Sequence, residues 1–595
     1  MFICRCLKDR VRGIGAEKWK ASLSHLRPGG RWLTWSAAGF ECAVFVSPHR
    51  WDVFAHQEER RLLLRLGLAH QGSRDVAGAS TRAHVPDPWP ADSHTHGCEN
   101  TDEGIFSVVS YNADTEELVA FTDRTGMWGL YLAEDESGIW LSSSSLAIGC
   151  LRSVSLDDAA LGAMRAAGYL LGDISLFREV KRLDAGERLV MNRSGMRVTR
   201  WWTPPEIRLD ADVKAETTNF VESVTHRLGT VVGGRCALTT LTAGLDSRCL
   251  MALVRGAGLD SRFFTAASES PEDIEVAQRI ARELGLNWFE LAPTGIDAEG
   301  FRTVITLSTL LCDGENQPFR GTTYWAAALA DLEVPVIWGF GGEAFRRYWS
   351  KQEQARMILK GASPLERLVR YRMAAWSVPP EVLESPLAQN PEDVACELLG
   401  RDYDFFATRS VDERLEAMYL SERIRRWASA HLKTMAWWIE PELPFIGQKL
   451  VEQAYGLPMA VREGAQLFRG AIWQCMPDAG RIPHNEGYHT LPYGEASFRD
   501  RLRTIRLDSA KLVRKIWPSR TVGHPYPPAG VSVTYRKCFE DELDPSRMIS
   551  RFLYREKVLR DRLRPLLDEP AGTVKMVNEV LGLEIALRAV TMLRT

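Results

Sequence analysis

The chain has little of what marks a membrane protein or a polyanion-binding protein. Its 595 residues contain no uncharged apolar run near the ~18 residues that a membrane-spanning helix needs, so we expect no membrane association and a cytoplasmic location. Basic residues number 74 and acidic residues 77, which gives a formal net charge of -3. Because no overall basic field is available to hold phosphate backbones, we expect no nucleic-acid partner.

Cysteine is scarce and follows no ligand pattern. The 11 cysteines are an odd number and include no Cys-x-x-Cys pair, and several of them lie inside apolar runs. Zinc sites are built from closely spaced ligand pairs, so this pattern favours reduced, mostly buried thiols over a metal site. The sequence also lacks the Walker Gly-Lys-Ser/Thr and the three spaced glycines of the dinucleotide fingerprint.

What the sequence does have is two successive kinds of periodicity. Before residue 200, short β-branched and aromatic runs alternate with turn residues at hairpin spacing, which predicts an antiparallel sheet. These runs are residues 105–112, 117–122, 128–133 and 138–143. After residue 235, apolar strand candidates at 261–268, 286–291 and 334–340 alternate with amphipathic helices. That alternation is typical of a doubly wound parallel sheet, which binds ligands at the carboxyl ends of its strands.

We therefore expect an α/β protein of two domains, with an N-terminal α+β domain over residues 1–205 and a parallel-sheet domain over 206–595. Two prolines stop regular structure within residues 200–207, where we place the boundary. Residues 412–438 and 549–592 are charged and amphipathic, and they predict a helical cover on the second domain. Residues 70–104, polar and rich in Pro, Gly, Ser and His, predict a surface loop.

The most informative stretch is LTTLTAGLDSR at residues 238–248. An apolar strand ends in the small residues Thr242, Ala243 and Gly244, and Asp246 and Ser247 then open a helix whose amino end favours anions. Small residues let backbone N–H groups approach a phosphate closely. The same composition also suits a plain tight turn between a strand and a helix, so the loop alone leaves both interpretations open.

Four stretches in a fixed order favour the phosphate interpretation. TAGLDS (242–247) is similar to a Ser-Gly-Gly-x-Asp-Ser pyrophosphate loop, and WGFGGEAFRRYW (338–349) to a strand followed by Gly-x-Gly-Gly-Asp-Glu. IEPELPFIGQKLVEQAYGLP (439–458) resembles a Glu-x-Arg-x-Pro-Phe-Leu-Asp segment, and FTDRTGMWGLYL (121–132) a glutaminase hairpin. Together they resemble the asparagine synthetase superfamily, whose members include β-lactam synthetases and lasso-peptide macrolactam cyclases. The resemblance implies a class II glutaminase-like domain followed by an ATP pyrophosphatase (PP-loop) domain.

The resemblance also implies a site for ATP and Mg²⁺. Thr242, Gly244 and Ser247 would cradle the pyrophosphate, and Leu241 and Gly339 occupy the positions where the family holds adenosine. Asp246 and Glu343 are the matching carboxylates, and both would be catalytic and bind the metal. Each stands just past a strand end, where a doubly wound sheet brings distant segments together. The competing interpretation is that Asp246 merely caps its helix.

The first half departs from working glutaminases of the family. Their nucleophile is a cysteine exposed as residue 1 after Met removal, whereas residue 2 here is Phe2. Cys4 and Cys6 lie inside the chain and offer no free α-amine as a base. We therefore expect no glutaminase reaction, a first domain kept for structure or substrate docking, and a nitrogen donor other than glutamine.

The second half departs at two positions. Ala465 stands where the family carries a lysine that stabilises phosphate and acyl charge, and Phe340 stands where relatives use Glu or Tyr near the attacking amine. Arg469, Arg462 or a lysine of residues 514–520 would replace the missing ammonium, and Arg469 is the catalytic candidate. The alternatives are a wrong alignment in this region or lost chemistry.

A polar run between the two ATP motifs, residues 312–325, has two interpretations. Asp313, Glu315 and Arg320 either order a peptide or amino acid, or belong to a solvated loop.

The sequence thus predicts an ATP-dependent, AMP-forming amide ligase acting through an acyl-adenylate. Its partner would be a peptide or small carboxylate substrate. Lasso-peptide macrolactam cyclases fit best, and these act with a leader-peptide protease or leader-binding protein. The alternatives are an asparagine-synthetase-like ligase using ammonia, a β-lactam-type small-molecule cyclase, and a non-catalytic scaffold that binds nucleotide or peptide.

Overall fold

The fold is that of a computed structural model. It describes residues 1–7, 16–37, 39–47, 53–57, 60–70, 103–192, 195–266, 271–291, 297–317, 321–355, 361–373, 378–384, 390–483, 490, 502, 506, 537–568 and 575–591. The loop predicted at 70–104 falls almost wholly outside these residues; strands occupy its two ends. In the part of the chain that the structure describes, no helix combines the length and apolarity needed to cross a bilayer.

The described residues up to 200 form two six-stranded antiparallel sheets, where the sequence pattern predicts one. Their strand orders are β10-β8-β9-β1-β3-β2 and β12-β11-β7-β6-β5-β4. The strands are β1 Phe2–Leu7, β2 Arg31–Ala37, β3 Phe40–Val46, β4 Val53–Gln57, β5 Arg61–His70, β6 Glu103–Asn112, β7 Glu117–Thr122, β8 Tyr131–Asp135, β9 Gly138–Ser142, β10 Lys181–Arg182, β11 Glu187–Asn192 and β12 Gly195–Arg200. The four predicted runs correspond to β6 through β9.

The second half is built on a five-stranded sheet in which all neighbouring strands run parallel, in the order β15-β14-β13-β16-β17. Its strands are β13 Ala237–Thr240, β14 Ser261–Ala266, β15 Trp288–Leu291, β16 Pro335–Ile337 and β17 Glu440–Glu442. The order reverses at β13, so the carboxyl ends of β13 and β16 lie side by side, which is where such sheets bind ligands. The predicted mixture of an antiparallel and a parallel sheet region is therefore confirmed.

Helices surround the sheets. Their bounds are Ala16–Leu23, Ser145–Leu151, Asp158–Ala167, Val213–Val232, Leu245–Gly256, Pro271–Leu284, Ala298–Leu311, Gly321–Ala328, Pro364–Leu368, Pro391–Phe405, Val411–Met418, Ser429–Trp438, Gln448–Gly456, Met459–Arg462, Gln466–Cys475, Pro477–Arg481, Glu540–Leu543, Glu556–Asp568 and Lys575–Thr591, with π-helices at Val369–Met373 and Tyr419–Ala428. Helices thus fill most of the described parts of 412–438 and 549–592, as predicted for the cover.

The last helix joins the two halves. Lys575–Thr591 packs against Ser145–Leu151 from the first half and against Ala298–Leu311 from the second. Its apolar residues are buried on most sides, which explains the weak amphipathic pattern of its sequence. Strand β12 ends at Arg200 and the next helix begins at Val213, and the exact boundary between domains stays a prediction.

Candidate active site

The loop after β13 is a compact turn held by hydrogen bonds from its own backbone N–H groups. The Thr242 N–H donates to Ser247 Oγ at 3.0 Å, the Gly244 N–H donates to Thr242 Oγ1 at 3.2 Å, and the Ala243 N–H donates to Asp273 Oδ1 at 3.0 Å. Gly244 occupies the N-cap of the following helix and supplies no side-chain cap. No side chain of the N-cap residue therefore caps the amino end of that helix, which carries the positive end of the helix dipole.

Asp246 and Glu343 meet at one guanidinium. Arg346 Nη2 lies 2.8 Å from Asp246 Oδ2 and 3.8 Å from Glu343 Oε1. Asp246 Oδ1 is buried and has no hydrogen-bond partner among the described residues. The carboxylate of Asp246 is directed toward Arg346 and does not cap its helix, so the capping interpretation is wrong.

The electrostatics of this cluster depend on burial. Burial raises the pKa of Asp246 to about 6; the nearby Arg346 lowers it and the Glu343 carboxylate raises it again. Burial also raises the pKa of Tyr419, so its phenol keeps its proton. That hydroxyl donates to Glu343 Oε2 at 3.1 Å. Glu343 thus accepts a hydrogen bond from the neutral Tyr419 hydroxyl and lies near the Arg346 cation.

Glycines bring the second motif against Asp246. A Cβ added at Gly342 would lie 3.0 Å from Asp246 Cγ and 2.7 Å from Phe468 Cε2, closer than side chains allow. Gly341 has a φ of +92°, a left-handed conformation that favours glycine. The two glycines therefore let the chain after β16 pass directly over the start of the helix that carries Asp246.

The two residues predicted to hold adenosine lie at the same edge of the sheet. Leu241 is fully buried; its N–H donates to the Phe264 carbonyl at 2.8 Å and its carbonyl accepts from Thr265 Oγ1 at 2.6 Å. Gly339 lies against Asp246, whose carbonyl oxygen would be 3.6 Å from an added Cβ. Leu241 is thus bound into the sheet through both backbone groups, and the contact with adenosine stays a prediction.

The cations proposed to replace the missing lysine have different surroundings. Arg469 Nη1 would be 3.7 Å from a Cβ at Gly464, and its place at the reacting atoms stays a prediction. Ala465 has a φ of +54° and stands just before the helix that carries Arg469. Arg462 is buried and donates to main-chain carbonyls, and burial lowers its pKa to about 10. Its guanidinium is thus used to hold the main chain, so the prediction that Arg462 replaces the missing ammonium is wrong. Residues 514–520 lie outside the described ranges.

Both interpretations of the run at 312–325 are wrong where it is described. Asp313 and Glu315 are buried, so they are neither solvated nor open to a peptide. Glu315 accepts a hydrogen bond from Tyr131 of the first half at 2.8 Å, and Lys433 lies 3.7 Å from Asp313. They form a buried polar contact between the two halves, while Arg320 lies outside the described residues.

The first strand holds no accessible thiol. Phe2 is fully buried, and its N–H donates to Ser143 Oγ at 2.9 Å. Cys4 and Cys6 are also buried, and burial raises the pKa of both thiols. A nucleophilic cysteine needs an accessible thiolate, so these two thiols are unsuited to attack glutamine.

Three residues of the cluster escaped the sequence analysis. Arg346 lies inside the second motif, three residues after Glu343, and its charge was the only available signal. Asp273 and Tyr419 belong to segments without a motif. Their roles come from tertiary contacts with the loop and with Glu343, which periodicity does not reveal.

The cluster suits a divalent ion that binds substrate oxygens as well. Among the described residues, no group of three or more His, Cys, Asp or Glu side chains could hold a metal by itself. Mg²⁺ needs only one or two protein carboxylates when phosphates and water complete its shell. Asp246, with its unpartnered buried oxygen, and Glu343 fit that requirement.

A comparison with protein families finds one match, and it lies in the first half. Residues 93–202, which include β6 through β12, match the family model described as a glutamine amidotransferase domain. No curated protein sequence matches the chain.

Two solved structures share low similarity with the chain. The glutamine phosphoribosylpyrophosphate amidotransferase from B. subtilis, complexed with ADP and GMP, is 10% identical, covering 51% of this chain and 92% of that chain with a TM-score of 0.22. The allosteric regulatory enzyme of purine biosynthesis is 9% identical, covering 49% and 80%, also with a TM-score of 0.22. Such scores are too low to indicate a shared fold. The family match alone makes residues 93–202 similar to a glutamine amidotransferase domain.

Proposed function

We propose that this protein is an ATP-dependent amide ligase that activates a carboxylate as an acyl-adenylate. The observation that carries the proposal is the meeting of Asp246 and Glu343 at one guanidinium. These carboxylates follow β13 and β16, the two strands flanking the point where the sheet order reverses. Two carboxylates beside an uncapped helix start suit a nucleoside triphosphate with its metal.

The proposed first step is attack of the substrate carboxylate oxygen on the α-phosphorus of ATP, with pyrophosphate leaving. Thr242, Gly244 and Ser247 would hold the departing phosphates at the helix start. Asp246 and Glu343 would hold Mg²⁺, which when bound neutralises phosphate charge. We assign two roles to Arg346. It keeps both carboxylates together in the free protein, and it can turn to a phosphate oxygen when the metal takes its place.

The proposed second step is attack of an amine on the acyl carbon, with AMP leaving. No accessible thiol is present in the first strand to release ammonia from glutamine. The amine therefore comes with the substrate, and an amine within the same molecule closes a ring. Among the alternatives, we propose macrolactam closure, in which a peptide's N-terminal amine joins an Asp or Glu side chain with loss of one water.

The test is incubation of the protein with ATP, Mg²⁺ and a candidate precursor peptide together with its leader-processing proteins. We expect AMP, pyrophosphate and a peptide lighter by one water in the mass spectrum. AMP with an amide that depends on added ammonia would instead favour the asparagine-synthetase-like ligase. ATP binding without AMP, across a broad set of peptides and amino acids, would reject the ligase in favour of a scaffold.

A further inference from the structure

Aromatic rings surround Phe340, which lies three residues before Glu343. Phe340 stacks on Trp338 with ring centroids 4.8 Å apart and lies 5.4 Å from Trp427. Trp427 in turn lies 4.0 Å from the ring of His431. Three of these residues, Trp338, Phe340 and Trp427, are only partly buried. We call these three residues the aromatic wall.

One face of the π-helix Tyr419–Ala428 connects this wall to the carboxylate cluster. Tyr419, Arg423 and Trp427 are spaced by four residues, so they fall on nearly the same side of a helix with about 4.4 residues per turn. Tyr419 donates to Glu343 at the first end of the row. Trp427 joins the aromatic wall at the other end, and Arg423 stands between them.

The Arg423 guanidinium lies over two aromatic rings. Its guanidinium carbon lies 3.8 Å from the Trp427 ring centroid and 5.2 Å from the Tyr169 ring centroid. Within the described ranges, no carboxylate lies within ion-pairing distance of Arg423, although three nearby residues of the same helix form buried ion pairs, namely Glu422, Arg425 and Arg426. One N–H of this guanidinium lies against the Tyr169 hydroxyl. A guanidinium stacked on a ring directs its other in-plane N–H donors outward, where they can bind a carboxylate in a planar, bidentate way.

We propose that Arg423 and the aromatic wall form the subsite for the acyl substrate, and that they select a substrate with a planar aromatic group next to a carboxylate that Arg423 binds. This inference rests on the proposed function for its place in the reaction. The ring packs against Phe340, since Arg423 and His431 already lie against the Trp427 ring, and Arg423 holds the carboxylate that is not activated. The substrate class is therefore an aromatic amino acid derivative, or a peptide with an aromatic residue beside an acidic group.

The inference is tested by calorimetric titration without ATP, using 3-phenylpropionate, 3-phenylpropanamide and 3-cyclohexylpropionate as probes. We expect the acid to bind at least about tenfold more tightly than the amide, because a charge-assisted hydrogen bond contributes more than a neutral one. The cyclohexyl acid should also bind more weakly, since it lacks a π-face.

Variants separate a direct contact from a structural one. Arg423→Gln should weaken binding of the acid about tenfold and leave the amide unchanged, and Arg423→Lys should give an intermediate loss because it keeps the charge without the planar fork. Arg481→Gln is the matched control, since Arg481 also lies over a tryptophan, Trp473, at 5.8 Å. It should change nothing.

Absence of binding by 3-phenylpropionate, or equal losses for acid and amide in Arg423→Gln, would overturn the inference. Failure of the proposed ligase function would give a different set of results from failure of the subsite. Binding of the acid with the expected losses, but no AMP with any carboxylate, would keep the subsite and reject the ligase. AMP formation from substrates that lack an aromatic ring as readily as from those that have one would keep the ligase and reject the subsite.

Discussion

Replacing Arg346 by glutamine should destabilise the second half of the protein, because Asp246 would lose the cation that pairs with it directly. The Arg346 Nη2 to Asp246 Oδ2 distance is 2.8 Å, and the two side chains are 23% and 19% exposed. Breaking a buried ion pair by removing one partner costs about 3–5 kcal/mol, since the other charge stays buried and uncompensated. The residual exposure places this pair at the lower end, about 3 kcal/mol.

That free energy translates into a measurable temperature shift. Unfolding entropy is about 2.1 cal/mol/K per residue, so a unit of roughly 390 residues gives about 0.8 kcal/mol/K. A loss of about 3 kcal/mol then lowers the melting temperature by about 4 °C. The same change removes a group that lowers the pKa of Asp246, so that pKa should rise above its value of about 6.

The assay is a double-mutant cycle followed by thermal unfolding, with the single variants Arg346→Gln and Asp246→Asn and the double variant. Asp246→Asn removes the buried charge, so the double variant should be more stable than the sum of the single losses implies, with a coupling of about 2 kcal/mol. Additive losses, agreeing within about 0.5 kcal/mol, would refute the claim that these side chains form one electrostatic unit.

Three further predictions concern other parts of the chain. Purified protein should release no glutamate from glutamine above background, because the first-strand thiols are buried; turnover of even a few per minute would contradict this. Gly342→Ala should lower AMP formation by at least tenfold, since its Cβ would meet Phe468 and Asp246, whereas Gly229→Ala, which meets nothing within 4 Å, should not. Burial raises the pKa of Glu579 from 4.5 to about 8, so the native state favours its proton and loses stability as pH rises through that range. The melting temperature of Glu579→Gln should therefore exceed that of the wild type increasingly from pH 5 to pH 9, and a constant difference would contradict the burial argument.

The sequence reveals the parallel sheet because its strands are short, apolar and separated by amphipathic helices. It also anticipates that Asp246 and Glu343 approach each other, since the carboxyl ends of neighbouring parallel strands share one edge. β17 is different. Glu440–Glu442 is polar and contains a proline, yet it pairs with β16 as a strand, and Arg235 and Arg227 neutralise its two glutamates.

Charged residues show the limit of pattern reading most clearly. Asp313 and Glu315 have the composition of an exposed loop, yet Lys433 and Arg426 reach them from more than a hundred residues away and bury them between the two halves. Arg346 is visible as a charge, but its direction depends on how the glycines before it turn the chain. Such outcomes are fixed by tertiary pairing, which one sequence alone does not encode in any local period.

The most direct test of the central claim is the rate of AMP formation by Asp246→Asn and Glu343→Gln, measured with Mg²⁺, ATP and the substrate that the wild type converts. Asp478→Asn, a carboxylate on the surface, is the matched control. We predict that each site variant loses at least about 10²-fold, equivalent to ~3 kcal/mol of transition-state stabilisation, while thermal unfolding shows a folded protein and the control keeps its rate. Near-normal AMP formation in both site variants would contradict the account.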